Sequence, residues 1–379
     1  MKFLKTYIPS LILKVASRCN LNCSYCYLYN HLDNSYLEQP KFMSLKVLDK
    51  ICDDLNEILL IKKHPIEITL HGGEPMLMKE EAFEAFIKKL KERLGNNLTS
   101  LSIQTNATLI NSTFIKLIKQ YQIGVSVSLD GTKESHDKFR LDHKGEGSYE
   151  STIKGIHKLI SSGIDVNILC VIDPYTRGDS TYNAIKKIGV KRMSFLIPDV
   201  THDSREKYYH LLPKYALANY LISLFIEWQK DHSGIRIRLF EDIISAILGG
   251  VPKTDLFGGN GLGYVIVESN GNYELLDALK VCYDGSTKHH KGNGTLLEFM
   301  NNVYNENGFT LWQKDYSAKC LQCRNFEVCK GGYLPHRYSD KNNFKNESVW
   351  CDDLYKLIDF IRLEVSKHLF PHETSLMIS

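Results

Sequence analysis

Six short β-rich runs alternate with amphipathic helical runs up to about residue 200, and this alternation constrains the chain more than any other feature. The strand candidates are Leu11–Ala16, Ile66–Leu70, Leu101–Thr105, Val125–Leu129, Val166–Ile172 and Met193–Ile197. Between them the apolar spacing predicts helices over Leu45–Ile61, Lys79–Leu94, Ser112–Tyr121 and Tyr149–Ser161. Ser44 and Ser148 are candidate N-caps, with Gly95 and Gly163 as stops. Strand–helix units in series make a parallel sheet with right-handed crossovers. The pattern leaves a partial barrel and a doubly wound sheet both open. In either, loops at the C-terminal ends of the strands build the active site.

Beyond residue 200 the pattern predicts a helix over 213–231, a short strand Ile235–Leu239 and a helix Glu241–Leu248. The glycine-rich run Phe257–Gly263 reads as a boundary loop, since no helix-forming stretch follows to make it a dinucleotide site. Tyr264–Glu268 and Tyr273–Leu276 flank a Ser-Asn-Gly-Asn turn and predict a β-hairpin. From there to about residue 355 the chain is loop-rich and carries five of its ten cysteines. At 379 residues one large domain plus a smaller one is expected. A net charge of +3 without a basic stripe gives no indication of nucleic acid. The start reads as neither a signal peptide nor a membrane span. Ten cysteines in such a chain point to a reducing, cytoplasmic setting and to metal ligation, not disulfides.

Three of the cysteines, Cys19, Cys23 and Cys26, follow the first strand directly. Three thiolates at these spacings can hold three irons of a four-iron cluster and leave the fourth iron open. Spacing alone also permits zinc or three buried thiols. With Tyr25 before the last cysteine, the segment resembles the cluster motif of radical S-adenosylmethionine (SAM) enzymes, in which the open iron chelates SAM. That resemblance favours an incomplete barrel of six strand–helix units. It also implies two [4Fe-4S] clusters and SAM as cofactors.

The second strand ends His71-Gly72-Gly73-Glu74-Pro75, similar to the family's Gly-Gly-Glu segment at the SAM amino group. Asn106, Ser128 and Asp130 at the next strand ends resemble its polar SAM contacts, and Arg140 the guanidinium that pairs with the SAM carboxylate. The bland alternatives are a glycine turn and ordinary polar strand ends.

Cys320-x2-Cys323-x5-Cys329 with distal Cys351 reads as structural zinc when taken alone. After a SAM barrel it resembles the SPASM extension and the outer of its two auxiliary clusters. The inner cluster lacks its ligands, because Tyr333 and Leu276 stand where relatives have cysteines. Asp277, next to Leu276, matches the aspartate that acts as a base in sulfatase-maturating relatives; its alternative is a solvated hairpin residue. The expected division is residues 1–235 for the barrel, 236–262 for a connection, 263–355 for the cluster domain and 356–379 for a C-terminal helix and tail.

Cys26-Tyr27-Leu28-Tyr29-Asn30, Leu276–Lys280, Gly331–Tyr338 and Ser348–Leu354 are similar to peptide maturases of the FxsB and GrrM type. The resemblance implies a radical SAM enzyme that installs carbon–carbon crosslinks, often cyclophanes, in a ribosomal precursor peptide. It implies an electron donor such as flavodoxin or ferredoxin, and a leader bound by the barrel surface or a separate protein. Formylglycine formation on a sulfatase, thioether formation and epimerisation are the alternatives within the family. A zinc- or cluster-based redox sensor is the non-enzymatic one.

Overall fold

The computed structural model describes residues 10–61, 64–257, 263–288, 294–304 and 314–369. Most of the expected boundary loop (258–262), the expected C-terminal tail (370–379) and the first nine residues lie outside them. Two compact units form, each from two stretches of chain: Met1–Cys170 with Leu262–Leu311, and Val171–Gly261 with Trp312–Ser379. The units do not follow linear order, because the hairpin near residue 264 returns to pair with the first strand.

In the first unit the strands are β1 (Ser10–Ala16), β2 (Ile66–Gly72), β3 (Leu98–Thr105), β4 (Gly124–Ser128) and β5 (Val166–Val171), with the hairpin strands β8 (Tyr264–Val267) and β9 (Tyr273–Glu274). Their order is β5-β4-β3-β2-β1-β8-β9; every pairing is parallel except the antiparallel β8–β9 hairpin. With β2 on one side and β8 on the other, β1 is interior, and Leu11, Leu13, Val15 and Ala16 are buried. Parallel strands covered on both faces read as apolar runs, as this one does. Lys14 is the exception, and it is buried too.

The helices α1 (Leu45–Ile61), α2 (Glu80–Leu94), α3 (Ser112–Tyr121), α4 (Lys133–Phe139) and α5 (Tyr149–Ser161) lie between these strands in sequence. In α1 the buried Leu48, Ile51, Cys52, Leu55 and Ile58 recur at helical spacing. Ser44 Oγ accepts from Val47 N–H at 3.2 Å, as an N-cap does. The α2 helix ends at Gly95, where φ of 52° suits a residue without Cβ. Ser148 departs from expectation. Its hydroxyl makes no cap; it donates to Arg140 O at 2.7 Å and meets His136 Nε2 at 3.0 Å.

In the second unit β6 (Arg192–Leu196) pairs in parallel with β7 (Arg236–Ile237). The expected strand to Leu239 stops at Ile237, and a helix runs Arg238–Ile247. Burial of Leu239, Phe240 and Ile243 at helical spacing explains the difference. The helix expected over 213–231 runs Ala216–Lys230, after Pro213. The last helix, Cys351–Leu369, is tied down within this unit, where Asp353 Oδ1 accepts from Ala218 N–H at 2.9 Å. Among the described residues, no helix is long and apolar enough to cross a membrane.

Candidate functional site

Three residues past β1, the cysteine loop is clamped by backbone hydrogen bonds. Asn22 N–H donates to Leu141 O at 2.7 Å and Ser24 N–H to Phe139 O at 2.9 Å. On the other side Gly73 N–H donates to Ala16 O at 2.8 Å and Glu74 N–H to Arg18 O at 2.9 Å. A Cβ on Gly72 would lie 2.0 Å from Ala16 O, and one on Gly73 2.2 Å from Arg18 O. The two glycines are therefore required by the close passage of the cysteine loop itself. Burial pushes the Cys19 and Cys26 thiols up to about 12, and mutual repulsion of the three thiols adds to it. Burial raises Cys23 too, and the Arg140 guanidinium beside it opposes that effect.

Arg140 follows the end of α4 and meets Asp130 in a buried two-point pair. Tyr25 Oη donates to Asp130 Oδ2 at 2.5 Å, and Arg140 stacks over the Tyr25 ring at 5.4 Å. His136 supports both. Asp130 N–H donates to its Nδ1 at 3.3 Å, which leaves Nε2 to donate to Ser148 Oγ. Burial, with Arg140 adding to it, lowers His136 to about 4, so the ring is neutral.

Glu74 does not present its carboxylate outward. It accepts from Met76 N–H at 3.0 Å, Thr105 Oγ at 2.7 Å and Asn106 N–H at 2.8 Å. Glu74 thus staples the end of β2 to the end of β3. Asn106 Nδ2 reaches Asn20 Oδ1 at 3.0 Å and lies 3.8 Å from Cys19 Sγ, so it borders the cysteine loop. Ser128 Oγ accepts from Gln104 Nε2 at 2.9 Å.

In the second unit, Cys320 and Cys329 sit on single helical turns, Cys323 between them, and Cys351 opens the last helix. The chain reverses after Cys329 through Lys330, Gly331 and Gly332, all with positive φ. Burial and the other three thiols push Cys329 up to about 12. Arg337, buried over the Tyr316 ring at 4.9 Å, lies within electrostatic reach of Cys320 and Cys329. Asn325 N–H donates to Cys323 Sγ at 3.4 Å.

A family model described as the radical SAM superfamily matches residues 13–181. Over 382 aligned residues the chain is 30% identical to a cysteine-type anaerobic sulfatase-maturating enzyme of Clostridium novyi, spanning 97% of this chain and 98% of that one. The chain belongs to the radical SAM superfamily. A serine-type anaerobic sulfatase-maturating enzyme of Bacteroides thetaiotaomicron is 24% identical over 351 residues, 87% of this chain and 83% of that one. The structure of native anSMEcpe with bound AdoMet matches with a TM-score of 0.81 at 24% identity, over 94% of this chain and 99% of that one. Streptococcus suis SuiB bound to its precursor peptide SuiA matches at 0.62 and 15% identity, over 92% and 77%. At such identities the structural likeness is one of fold. The Clostridium and Bacteroides relatives are sulfatase maturases, and they support that branch of the family better than the cyclophane-forming FxsB and GrrM type expected from the motifs.

The radical SAM family to which the chain belongs implies four-iron clusters for these cysteines. In a four-iron cluster each thiolate ligates a separate iron, so the thiols need not converge on a point. A guanidinium beside each thiol set, Arg140 in one and Arg337 in the other, offsets the negative charge of thiolate ligation. Cys52 and Cys170 are buried, as expected of core thiols.

Asp277, read from sequence as a base or a solvated residue, is buried and ion-paired in this radical SAM enzyme. Lys14 Nζ donates to Asp277 Oδ1 at 2.6 Å and to Glu268 Oε1 at 2.7 Å. Lys280 Nζ reaches the same Glu268 oxygen at 3.3 Å, Glu274 Oε2 at 3.2 Å and Asp33 Oδ1 at 3.6 Å. Burial alone would lower Lys14, but Asp277 and Glu268 outweigh it and hold it above its ordinary value. Sequence reading missed this network. Its one visible signal was a lysine in the middle of an apolar strand.

Proposed function

We propose that this radical SAM enzyme oxidises a cysteine side chain, and secondarily a serine, in a polypeptide substrate to an aldehyde, the formylglycine conversion of sulfatase maturation. The near full-length homology to cysteine-type maturases carries this reading. Cys19, Cys23 and Cys26 would hold the SAM-binding cluster, and Cys320, Cys323, Cys329 and Cys351 the auxiliary one. When bound and reduced by a flavodoxin or ferredoxin, these cofactors supply a carbon radical that removes one hydrogen atom from the substrate.

The chain's residues supply position and a proton acceptor. Arg140, held by Asp130 and Tyr25, offers a fixed guanidinium for a carboxylate. The Gly72-Gly73-Glu74 backbone, Asn106 and Ser128 complete the SAM contacts. After hydrogen-atom removal from its β-carbon, the substrate gives up one electron and the proton of its thiol or hydroxyl, which forms the carbon–sulfur or carbon–oxygen double bond; the auxiliary cluster, when bound, would accept the electron. The Asp277 carboxylate takes the proton. With cysteine the product is a thioaldehyde, which water converts to the aldehyde with release of hydrogen sulfide; with serine the aldehyde forms directly.

The test is anaerobic incubation of the reconstituted enzyme with SAM and a sulfatase-derived cysteine peptide, followed by hydrazide trapping and mass spectrometry. A hydrazide-reactive product supports the reading. A product two hydrogens lighter that does not react with hydrazide would instead indicate the carbon–carbon crosslinking suggested by the motifs.

A further inference from the structure

The buried charges around Asp277 are more than a structural tie. Two ammonium groups, Lys14 and Lys280, face four carboxylates, Asp33, Glu268, Glu274 and Asp277. All six are at most 5% exposed. Replacing a buried ion network by apolar side chains of similar size is often neutral or stabilising, so stability alone is a weak reason for it. The network also abuts a small, partly open pocket lined by Lys14, Asp33, Glu268, Lys280, Tyr29 and Gly73. That places it directly behind the Gly72-Gly73 turn.

Its connectivity has a direction. Asp277 Oδ1 meets Lys14, Lys14 meets Glu268, and Glu268 Oε1 is shared with Lys280, which passes on to Glu274. Glu274 and Asp33 are anchored further, by Thr287 Oγ at 2.6 Å and by Gly285 N–H at 2.9 Å. Asp277 accepts its hydrogen bond from Lys14, and Lys280 and His71 lie within electrostatic reach of it. On β2, His71 stands opposite Lys14 in register, and its buried Nδ1 has no hydrogen-bond partner. The other polar groups on this cavity are Ser17, Tyr29 and Tyr36, with Arg18 stacked on Tyr36. The network holds two more carboxylates than ammonium groups, so a proton delivered to Asp277 relieves repulsion within it.

We propose that Lys14 is a positioning residue for the oxidation: it holds Asp277 by the ion pair and couples it to the Glu268–Lys280–Glu274 chain, which makes Asp277 a proton sink. This rests on the reading of Asp277 as proton acceptor. The proton comes from the thiol of the substrate cysteine (the hydroxyl of a serine), whose carbon has lost a hydrogen atom; the accompanying electron would go to the auxiliary cluster when that is bound. The proton ends on an Asp277 oxygen, and Lys14 keeps its own proton throughout.

K14M and K14R decide it. In the holoenzyme, the infrared carboxylate band of Asp277, assigned by its loss in D277N, should titrate at higher pH in K14M than in the wild type. The neutral side chain removes a cation that favours the ionised carboxylate. K14R should restore the wild-type titration. With the cysteine peptide, aldehyde per 5′-deoxyadenosine should fall on the order of tenfold or more in K14M, and the acid limb of its pH profile should move to higher pH. An Asp277 titration and pH profile unchanged in K14M would overturn the proposal. So would equal loss of iron, SAM cleavage and product in both variants, the mark of a merely structural residue. A wild-type enzyme that makes no aldehyde would count against the proposed function, while the infrared titration would still decide the pairing.

Discussion

Arg140 and Asp130 form a buried pair in which Nε meets Oδ2 at 2.8 Å and Nη2 meets Oδ1 at 3.2 Å, with Cys23 beside the guanidinium. Two-point pairing fixes the guanidinium plane before any ligand arrives. Removing one partner strands a buried charge, at a cost of about 3–5 kcal/mol. Asp130→Ala should therefore lower the unfolding free energy obtained from urea titration by about that amount. Arg140→Lys keeps the charge but loses the planar fork, and should weaken SAM binding roughly tenfold in equilibrium binding. Unchanged affinity in Arg140→Lys would remove Arg140 from the SAM site.

His136 ties acid sensitivity to this pair. Burial holds it near 4, below its ordinary 6.5, so the unfolded chain takes up a proton before the folded one does. Its contribution is fully present above about pH 6.5 and is lost as pH falls toward 4, on the order of 3 kcal/mol in all. Urea unfolding followed across this window should show the loss, and His136→Gln should flatten it. An equally steep loss in the variant would assign the sensitivity to another group.

How much of this was legible beforehand depends on the length scale of the forces involved. The strands β1 to β6 were found within a few residues because apolar runs between amphipathic helices report local burial. The cysteine sets were found because thiolate spacing is local as well. Glu74 stood out as a carboxylate at a strand end, but its bonds to Thr105 and Asn106, some thirty residues away in sequence, did not. Lys14 was passed over because its partners, Glu268 and Asp277, lie more than 250 residues away and are brought to it only by β8 pairing with β1. Ser148 looked like a cap because it precedes a helix; the Arg140 carbonyl and His136 ring claim its hydroxyl instead.

Glu74 should behave as a staple. Glu74→Ala strands the N–H groups of Met76 and Asn106 and the Thr105 hydroxyl, at about 1–3 kcal/mol for each group left unsatisfied. The expected result is a lower unfolding midpoint together with weaker SAM binding. Weaker binding at an unchanged midpoint would show that the carboxylate itself meets the ligand.

The two cysteine sets should load independently. Alanine at Cys19, Cys23 and Cys26 should lower the iron content from about eight to about four per chain and abolish SAM cleavage, with the auxiliary cluster retained. A wild-type count near twelve would mean that an inner cluster forms despite Leu276 and Tyr333.

The most direct test of the proposed oxidation is isotope transfer. The reconstituted enzyme is given SAM and a peptide whose target cysteine carries deuterium at both Cβ positions. Mass spectrometry should find one deuterium in 5′-deoxyadenosine and one retained in a hydrazide-reactive peptide product. Formation of 5′-deoxyadenosine without deuterium, beside a peptide that has kept both its deuterium atoms and its thiol, would contradict it.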